Sequence, residues 1–144
     1  MKYLGLDLGT KTLGIAIADT KVLIPSPLKT IKYDNIDKLI SEVIDIIKER
    51  NVVEIALGLP KNMDGSLGFA AERSISFKEK LEEKTSIKIT LIDERLSTVE
   101  AKGYLKDEGI SEKKGKSIID AVAANIILDT FIRMKGFNED GKTK

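Results

Sequence analysis

Cysteine and histidine are both absent from the sequence of 144 residues. Their absence excludes zinc sites built from cysteine and histidine, cysteine nucleophiles, Ser-His-Asp triads and any hydrolysis that uses imidazole as the general base. The chemistry of an enzyme with this composition must therefore rest on carboxylates, lysine, tyrosine, serine or threonine. Carboxylates most naturally work by holding hard cations such as Mg²⁺.

Long apolar runs and a strong net charge are also missing. The longest uncharged run, Ala121–Leu128, is far shorter than the roughly 20 residues of a membrane-spanning helix. The chain reaches Asp7 before an apolar segment can form, so we expect neither a membrane span nor a secretory signal, and a cytoplasmic location. The net charge of +1 provides no global field towards nucleic acid, so any attraction for phosphate must come from local clusters.

The spacing of apolar residues predicts an α/β domain with one core and a mixed five-stranded sheet flanked by helices. Strands 1 to 3 are expected to be antiparallel, whereas strands 1, 4 and 5 are expected to be parallel because helices connect them. We expect one domain over residues 1–135 and a flexible polar tail over 136–144. The predicted strands are 2–8, 14–19, 27–33, 52–60 and 87–93; the helices are 35–50, 67–84, 97–107 and 117–134, with a basic loop over 108–117.

One aspartate interrupts an apolar run near the start of the chain. Asp7 stands in "YLGLDLGT", between strand-forming residues and a turn at Gly9 and Thr10. A carboxylate at a strand end is often solvated, or accepts hydrogen bonds from the amides of the following turn. The alternative is that it holds a cation, since the core face of a strand excludes an unpaired carboxylate. This stretch alone leaves both interpretations open.

A second aspartate lies in an apolar helix. Asp120 is the only charged residue between Lys116 and Asp129, and a helix that is apolar nearly all round is typically buried. A buried, ionised carboxylate needs a cation, a network of donors or a raised pKa. An ion pair with Lys11 or Arg95 is the structural alternative to a metal ion at this position.

Three acids from separate elements can meet at one sheet edge. Asp93 and Glu94 alternate faces where a predicted strand ends, so one of them can point towards Asp7, and Asp120 supplies the third carboxylate. Such a cluster repels itself unless divalent ions lie within it. Two ions roughly 4 Å apart activate a water molecule and stabilise the leaving oxygen of a phosphodiester. A single Mg²⁺ held by two carboxylates serves a weaker version of the same reaction, so one ion and two ions both stay open. Asp7, Glu94 and Asp120 therefore predict a phosphodiester-hydrolysing site for Mg²⁺ or Mn²⁺.

Basic and amide groups that can face phosphate are predicted to surround these acids. Each of them has an ordinary surface role as its alternative, and the lysines just before Asp120 form the densest group. The candidate nucleic-acid-binding residues are Gly9, Thr10, Lys11, Lys61, Asn62, Arg95, Lys113, Lys114 and Lys116.

Four segments in order resemble one protein family. They are "GLDLGTKTLGIAIAD", "LGLPKNMDGSLGFAAERS", "IDERLSTVEA" and "KKGKSIIDAVAANIIL", and the resemblance runs from about residue 3 to 132. They are similar to the YqgF-type proteins, Holliday-junction-resolvase-like nucleases assigned to maturation of the 5′ end of pre-16S rRNA. The resemblance implies a ribonuclease-H-like fold and a divalent-metal site, with the family's three acids at Asp7, Glu94 and Asp120. Structured RNA, and ribosomal precursor particles, are the implied partners.

Other functions stay open at this point. A resolvase of four-way DNA junctions suits the same fold and acids, and a non-catalytic nucleic-acid-binding module suits the modest basic clusters. Asp7-Leu8-Gly9-Thr10 also resembles the first phosphate motif of the actin and sugar-kinase group, although the chain is short for the two lobes of that group. We expect a monomer or a weak homodimer.

Overall fold

The chain forms a five-stranded sheet with helices on both faces. In the computed structural model, the backbone is described for residues 1–93 and 112–143, and side chains for residues 1–93 and 121–136. The described strands are β1 (Lys2–Leu8), β2 (Thr12–Asp19), β3 (Ser26–Lys32), β4 (Val52–Leu59) and β5 (Lys88–Asp93); the described helices are α1 (Ile36–Glu49), α2 (Phe69–Glu82) and α3 (Glu112–Thr143).

The sheet has the strand order β3-β2-β1-β4-β5. β1 and β2 pair antiparallel, as do β2 and β3. β1 pairs parallel with β4, with Leu6 opposite Leu57, and β4 pairs parallel with β5, with Leu59 opposite Asp93. The predicted mixed sheet is confirmed, because each parallel neighbour is reached through a helix, as the spacing of apolar residues required.

Alternating residues on each strand divide the core between two faces of the sheet. One face packs on α1 and α2, and its buried residues include Leu4, Leu6, Ile55 and Phe77. The other face packs on α3 and carries small residues such as Ala16 and Ala56 beneath Ala124, Ile127 and Leu128. Small side chains allow a helix to approach the sheet closely, so α3 lies directly on the centre of the sheet.

The helix α1 begins and ends as its sequence predicts. The side chain of Asn35 caps its first turn by accepting hydrogen bonds from the amides of Asp37 (2.9 Å) and Lys38 (3.1 Å). At the other end, Asn51 adopts a left-handed conformation with φ 55° and turns the chain into β4. The predicted bounds of 35–50 therefore agree with the structure to within a residue.

The last helix differs from its prediction at both ends. α3 begins at Glu112 rather than near residue 117, so the carboxyl-terminal part of the predicted basic loop has a helical backbone. It also continues through Thr143, across the segment expected to be a flexible tail. The predicted helix, 117–134, lies between Gly115 and Gly136, but a glycine costs only about 1 kcal/mol inside a helix, which α3 accommodates. The predicted helix 97–107 lies outside the described residues.

A membrane span finds no support in these helices. Across the described part of the chain, none of α1, α2 and α3 offers a stretch both long and apolar enough to cross a bilayer.

Candidate functional site

One edge of the sheet collects the carboxyl ends of four strands. β1, β4 and β5 run parallel, and β3 has the same direction because two antiparallel pairings separate it from β1. The turn between β1 and β2, the connection from β4 to α2 and the end of β5 therefore lie together. Open α/β sheets bind their ligands at this edge.

Asp7 lies at this edge, on the face covered by α3. A Cβ atom added to Gly5 would lie 2.7 Å from the carbonyl oxygen of Ala124 and 2.7 Å from Cβ of Leu128. Gly5 therefore marks the crossing point of α3 over β1. Because residues two apart on a strand share a face, Asp7 points to the same side as Gly5, where it is half-buried.

The direction of α3 brings position 120 towards Asp7. Near the start of β1, the ring of Tyr3 meets that of Phe131 with centroids 5.5 Å apart, whereas Gly5 meets residues nearer the start of α3. The helix and the strand therefore run in opposite directions. Asp120 precedes Ala124 by one helical turn, so its position in the backbone follows the same helix face towards the Asp7 end of β1. The side chain of Asp120 lies outside those described.

The structure describes only the first of the two acids at the end of β5. Ile92 packs on the α3 face of the sheet, so Asp93, which is exposed, points to the opposite face from Asp7. Asp93 is therefore not the β5 acid that shares a face with Asp7. Glu94 and Arg95 lie outside the described residues.

A complete metal centre is not visible among the described side chains. No group of three metal-ligating side chains occurs within residues 1–93 and 121–136. Of the predicted trio, only the Asp7 side chain belongs to that set. Asp7 is a half-buried carboxylate at an open sheet edge, and the facing helix carries a second acid at position 120. This combination suits a hard divalent cation.

The turn after Asp7 is held by Tyr33, which is not among the residues predicted for the site. Within the turn, the amide of Gly9 donates to the carbonyl oxygen of Thr12 (2.8 Å). Tyr33, just beyond β3, donates from its hydroxyl to the carbonyl oxygen of Gly9 and from its amide to the carbonyl oxygen of Lys11 (2.9 Å). These contacts fix the turn, while Thr10 and the Lys11 side chain stay exposed.

Tyr33 is partly buried at this turn. Burial raises the pKa of its hydroxyl, and the positive charge of Arg73 in α2 opposes that rise. The hydroxyl therefore stays protonated and acts as a donor at neutral pH. A tyrosine directly after a strand that ends at this edge was the signal in the sequence, but only the folded chain shows that it reaches Gly9.

The connection from β4 to α2 is closed by hydrogen bonds of its own. The amide of Asn62 donates to the carbonyl oxygen of Ser66 (2.9 Å), and its side-chain nitrogen donates to the Ser66 hydroxyl (3.0 Å). The amide of Gly65, with φ 89°, donates to the carbonyl oxygen of Asn62 (2.8 Å). The Asn62 side chain thus organises this loop, and the half-buried Lys61 lies at its start.

The three predicted lysines before Asp120 fall in the first turns of α3. Lys113, Lys114 and Lys116 have helical backbones, and their side chains lie outside those described. Since α3 runs opposite to β1, its amino-terminal turns extend towards the edge that carries Asp7. The backbone therefore brings these positions to the same end of the molecule as the acid.

Comparison with known proteins gives consistent results for sequence and for fold. The sequence profile of the RuvX family, described as Holliday junction resolvase, matches residues 1–134. Proteins from several Staphylococcus aureus strains are 43% identical over 134 residues, covering 91% of this chain and 94% of theirs, and carry the name of a proposed pre-16S rRNA nuclease.

Two solved structures have a similar fold. The RuvC protein of Thermus thermophilus, in complex with a Holliday junction substrate, aligns with a TM-score of 0.61 at 14% identity, over 94% of this chain and 96% of its own. The Fowlpox virus resolvase, in complex with Holliday junction DNA, aligns with a TM-score of 0.53 at 14% identity, over 93% of this chain and 98% of its own. At these identities the likeness concerns the fold, which is that of ribonuclease-H-like resolvases.

Proposed function

The chain belongs to the RuvX family of Holliday junction resolvases, and from this we propose that it is a divalent-metal-dependent endonuclease that processes the 5′ end of pre-16S rRNA. The observation that carries the proposal is the match over 91% of the chain to relatives named for that role. The crossing of α3 over Gly5, which brings position 120 to the face and edge of Asp7, supports it independently.

In the proposed site, Asp7, Glu94 and Asp120 would hold Mg²⁺ or Mn²⁺. A bound divalent ion supplies an activated water molecule and stabilises the charge that develops on the leaving oxygen of a phosphodiester. Without a cation these carboxylates repel phosphate, so we propose that substrate binding and metal binding support each other. Carboxylate oxygens are the ligands that both ions prefer.

The remaining polar groups at the edge are proposed to bind and orient the RNA backbone. The amide of Thr10 and the exposed Lys11 face the phosphates, whereas the amide of Gly9 is bonded to the carbonyl oxygen of Thr12 and supports the shape of the turn, which Tyr33 positions. Lys61 adds a cation at the end of β4, whereas Asn62 contributes through the shape of its loop. Arg95 and the three lysines of α3 complete the proposed basic rim.

The test is cleavage of an RNA that carries the 5′ leader of pre-16S rRNA, in Mg²⁺ or Mn²⁺. We expect Asp7→Asn, Glu94→Gln and Asp120→Asn to lose cleavage and to lose the rise in melting temperature that either ion gives the parent protein. The matched control is Asp45→Asn, which neutralises an exposed acid on α1 and should leave both measurements unchanged. Full activity in all three site variants would contradict the proposal.

A second candidate function is the resolution of four-way DNA junctions. The family description and the fold shared with the two junction-bound resolvases favour it. Competition between the RNA leader and an immobile DNA junction for one preparation of the protein separates the two candidates. We expect the RNA to be cleaved preferentially; preferential cleavage of the junction would make the second candidate the function.

A further inference from the structure

A side-chain oxygen on α3 is buried without a hydrogen-bond partner. Among the side chains that the structure describes, the buried polar atoms that lack a partner are Oγ of Ser74 and Oδ1 of Asn125. Ser74 lies in α2, on the opposite face of the sheet from Asp7, whereas Asn125 lies in α3, on the same face as Asp7. An unpaired acceptor inside a protein costs free energy, and its missing partner is often a bound water molecule or ion.

The fold of α3 does not account for an amide at this position. Asn125 is the only polar side chain between Asp120 and Asp129, and its neighbours on both sides are alanine and isoleucine. Asparagine is a weaker helix former than leucine or alanine, and an apolar side chain here would leave no acceptor unpaired. The amide therefore lowers the stability of the helix on two counts, which favours a role outside packing.

The amide begins a stripe of α3 that faces β1 and β4. Residues at spacings of three and four share one side of a helix, and here they are Asn125, Leu128, Ile132 and Lys135. The Cβ of Leu128 lies directly over Gly5 in β1. Nζ of Lys135 lies 3.1 Å from Oε1 of Glu54 in β4. Asn125 therefore points to the β4 side of the helix.

The level of Asn125 along the sheet is that of the carboxyl ends of β4 and β5. Asn125 precedes Lys135 by ten residues, which is about 15 Å along a helix. A strand covers that distance in about four to five residues, and α3 runs opposite to β4, so Asn125 lies near Gly58. Gly58 is buried and is opposite Ile92 in β5. The unpaired oxygen is therefore at the edge that carries Asp7 and from which the chain leads to Glu94.

We propose that Asn125 is a positioning residue of the metal site, where its Oδ1 accepts a hydrogen bond from a water molecule in the hydration shell of the divalent ion. This inference rests on the proposed function and adds a fourth residue to Asp7, Glu94 and Asp120. Mg²⁺ keeps several water molecules when carboxylates bind it, and these waters need acceptors. Partners of this kind fix the orientation of what surrounds a metal ion. A neutral amide does so without adding to the repulsion among the carboxylates.

Asn125→Leu tests this role, because it replaces the amide by an apolar side chain of nearly the same shape. The matched control is Thr130→Val on the same helix, where the hydroxyl donates to the carbonyl oxygen of Ile126 (2.9 Å) and so already has a partner. Two measurements are made on the full chain, namely the melting temperature in EDTA and the affinity for Mn²⁺. Electron paramagnetic resonance gives the affinity, since bound Mn²⁺ loses the sharp signal of the free ion. Neither measurement depends on cleavage.

We expect Asn125→Leu to change the two measurements in opposite directions. Its melting temperature in EDTA should rise, because an unpaired acceptor is removed from the interior. Its affinity for Mn²⁺ should fall by about 10- to 100-fold, the range for loss of a partner that orients a metal site. Asn125→Asp keeps an oxygen at this place, so it should bind Mn²⁺ at least as tightly as the parent protein, with a lower melting temperature in EDTA. Thr130→Val should leave the affinity for Mn²⁺ unchanged.

Parental affinity for Mn²⁺ in Asn125→Leu, together with loss of binding in Asp7→Asn, would overturn this inference and leave the metal site intact. A lower melting temperature of Asn125→Leu in EDTA would show that the amide has a partner within the protein, and would also overturn it. Failure of the proposed function is a separate result. It is seen in the parent protein, which then binds no Mn²⁺, and the inference falls with it, or which binds Mn²⁺ without cleaving RNA, and the role of Asn125 at the ion stands.

Discussion

Replacement of Gly5 by alanine tests the helix crossing on which the candidate site depends. The new Cβ would lie 2.7 Å from the carbonyl oxygen of Ala124 and 2.7 Å from Cβ of Leu128, both closer than van der Waals contact allows. The carbonyl oxygen of Ala124 belongs to the backbone, and the Cβ of Leu128 does not move when that side chain changes rotamer. No rotamer change on α3 therefore relieves the contact. The helix itself has to move away from the sheet.

The expected loss of stability follows from two opposing contributions. Overpacking of a core typically costs about 1–3 kcal/mol. Replacing glycine where the backbone suits alanine restores about 0.4–1 kcal/mol by restricting the unfolded chain, and Gly5 has no left-handed φ that would forbid this. Taking the centres of these two ranges, about 2 and about 0.7 kcal/mol, we expect the free energy of unfolding to fall by roughly 1.3 kcal/mol, with a melting temperature lower by about 3–6 °C.

Urea denaturation followed by far-ultraviolet circular dichroism measures this change. The matched control is Gly136→Ala in the same helix, where an added Cβ meets nothing within 4 Å. That variant should be unchanged or more stable by up to about 1 kcal/mol, because alanine is the better helix former. If Gly5→Ala is as stable as the parent protein, α3 does not cross β1 closely, and the reasoning that brings Asp120 towards Asp7 is wrong.

Cleavage provides a second measurement on Gly5→Ala. A shift of α3 moves position 120 relative to Asp7, and a displacement of about 1 Å at a catalytic centre can cost on the order of 100-fold in rate. We expect the rate to fall further than the unfolded fraction explains. A parental rate in a folded but destabilised variant would show that the acid on α3 takes no part in the reaction.

Three further experiments test individual side-chain contacts. Two backbone amides of the following turn lower the pKa of Asp19 from 3.8 to about 2. Its stabilising effect is therefore present above about pH 4 and is lost as the pH falls towards 2. Asp19→Asn should flatten the acid unfolding curve in that window, and an unchanged curve would contradict the assignment. Tyr33→Phe removes the donor to Gly9 and should cost about 0.5–1.5 kcal/mol in urea denaturation, with slower cleavage; parental values in both would refute its positioning role. Nζ of Lys135 lies 3.1 Å from Oε1 of Glu54, whose side chain is mostly buried. A double-mutant cycle of Lys135→Met and Glu54→Gln should therefore give a coupling energy of about 1 kcal/mol in the free energy of unfolding. A coupling energy near zero would show that the ion pair contributes nothing.

Much of the fold could be predicted because its signals are local. Alternation in β1 and β2, the amphipathic spacing of α1 and the proline directly after β4 are local signals, and the structure agrees with the predicted elements there. The bounds of α3 were the exception. Its glycines resemble helix ends in sequence, although a long helix accommodates them at small cost.

The sequence by itself limited the chemistry available to this protein, since a chain without histidine or cysteine leaves carboxylates, lysine, tyrosine, serine and threonine as its reactive groups. Only the tertiary structure decided which positions meet. Asp7 and position 120 are more than a hundred residues apart, and the closeness of their elements depends on the missing Cβ of Gly5. The support of Gly9 by Tyr33 and the burial of the Asn125 side-chain oxygen are likewise consequences of packing, because contacts between distant segments are set by shape and leave no periodic pattern along the chain.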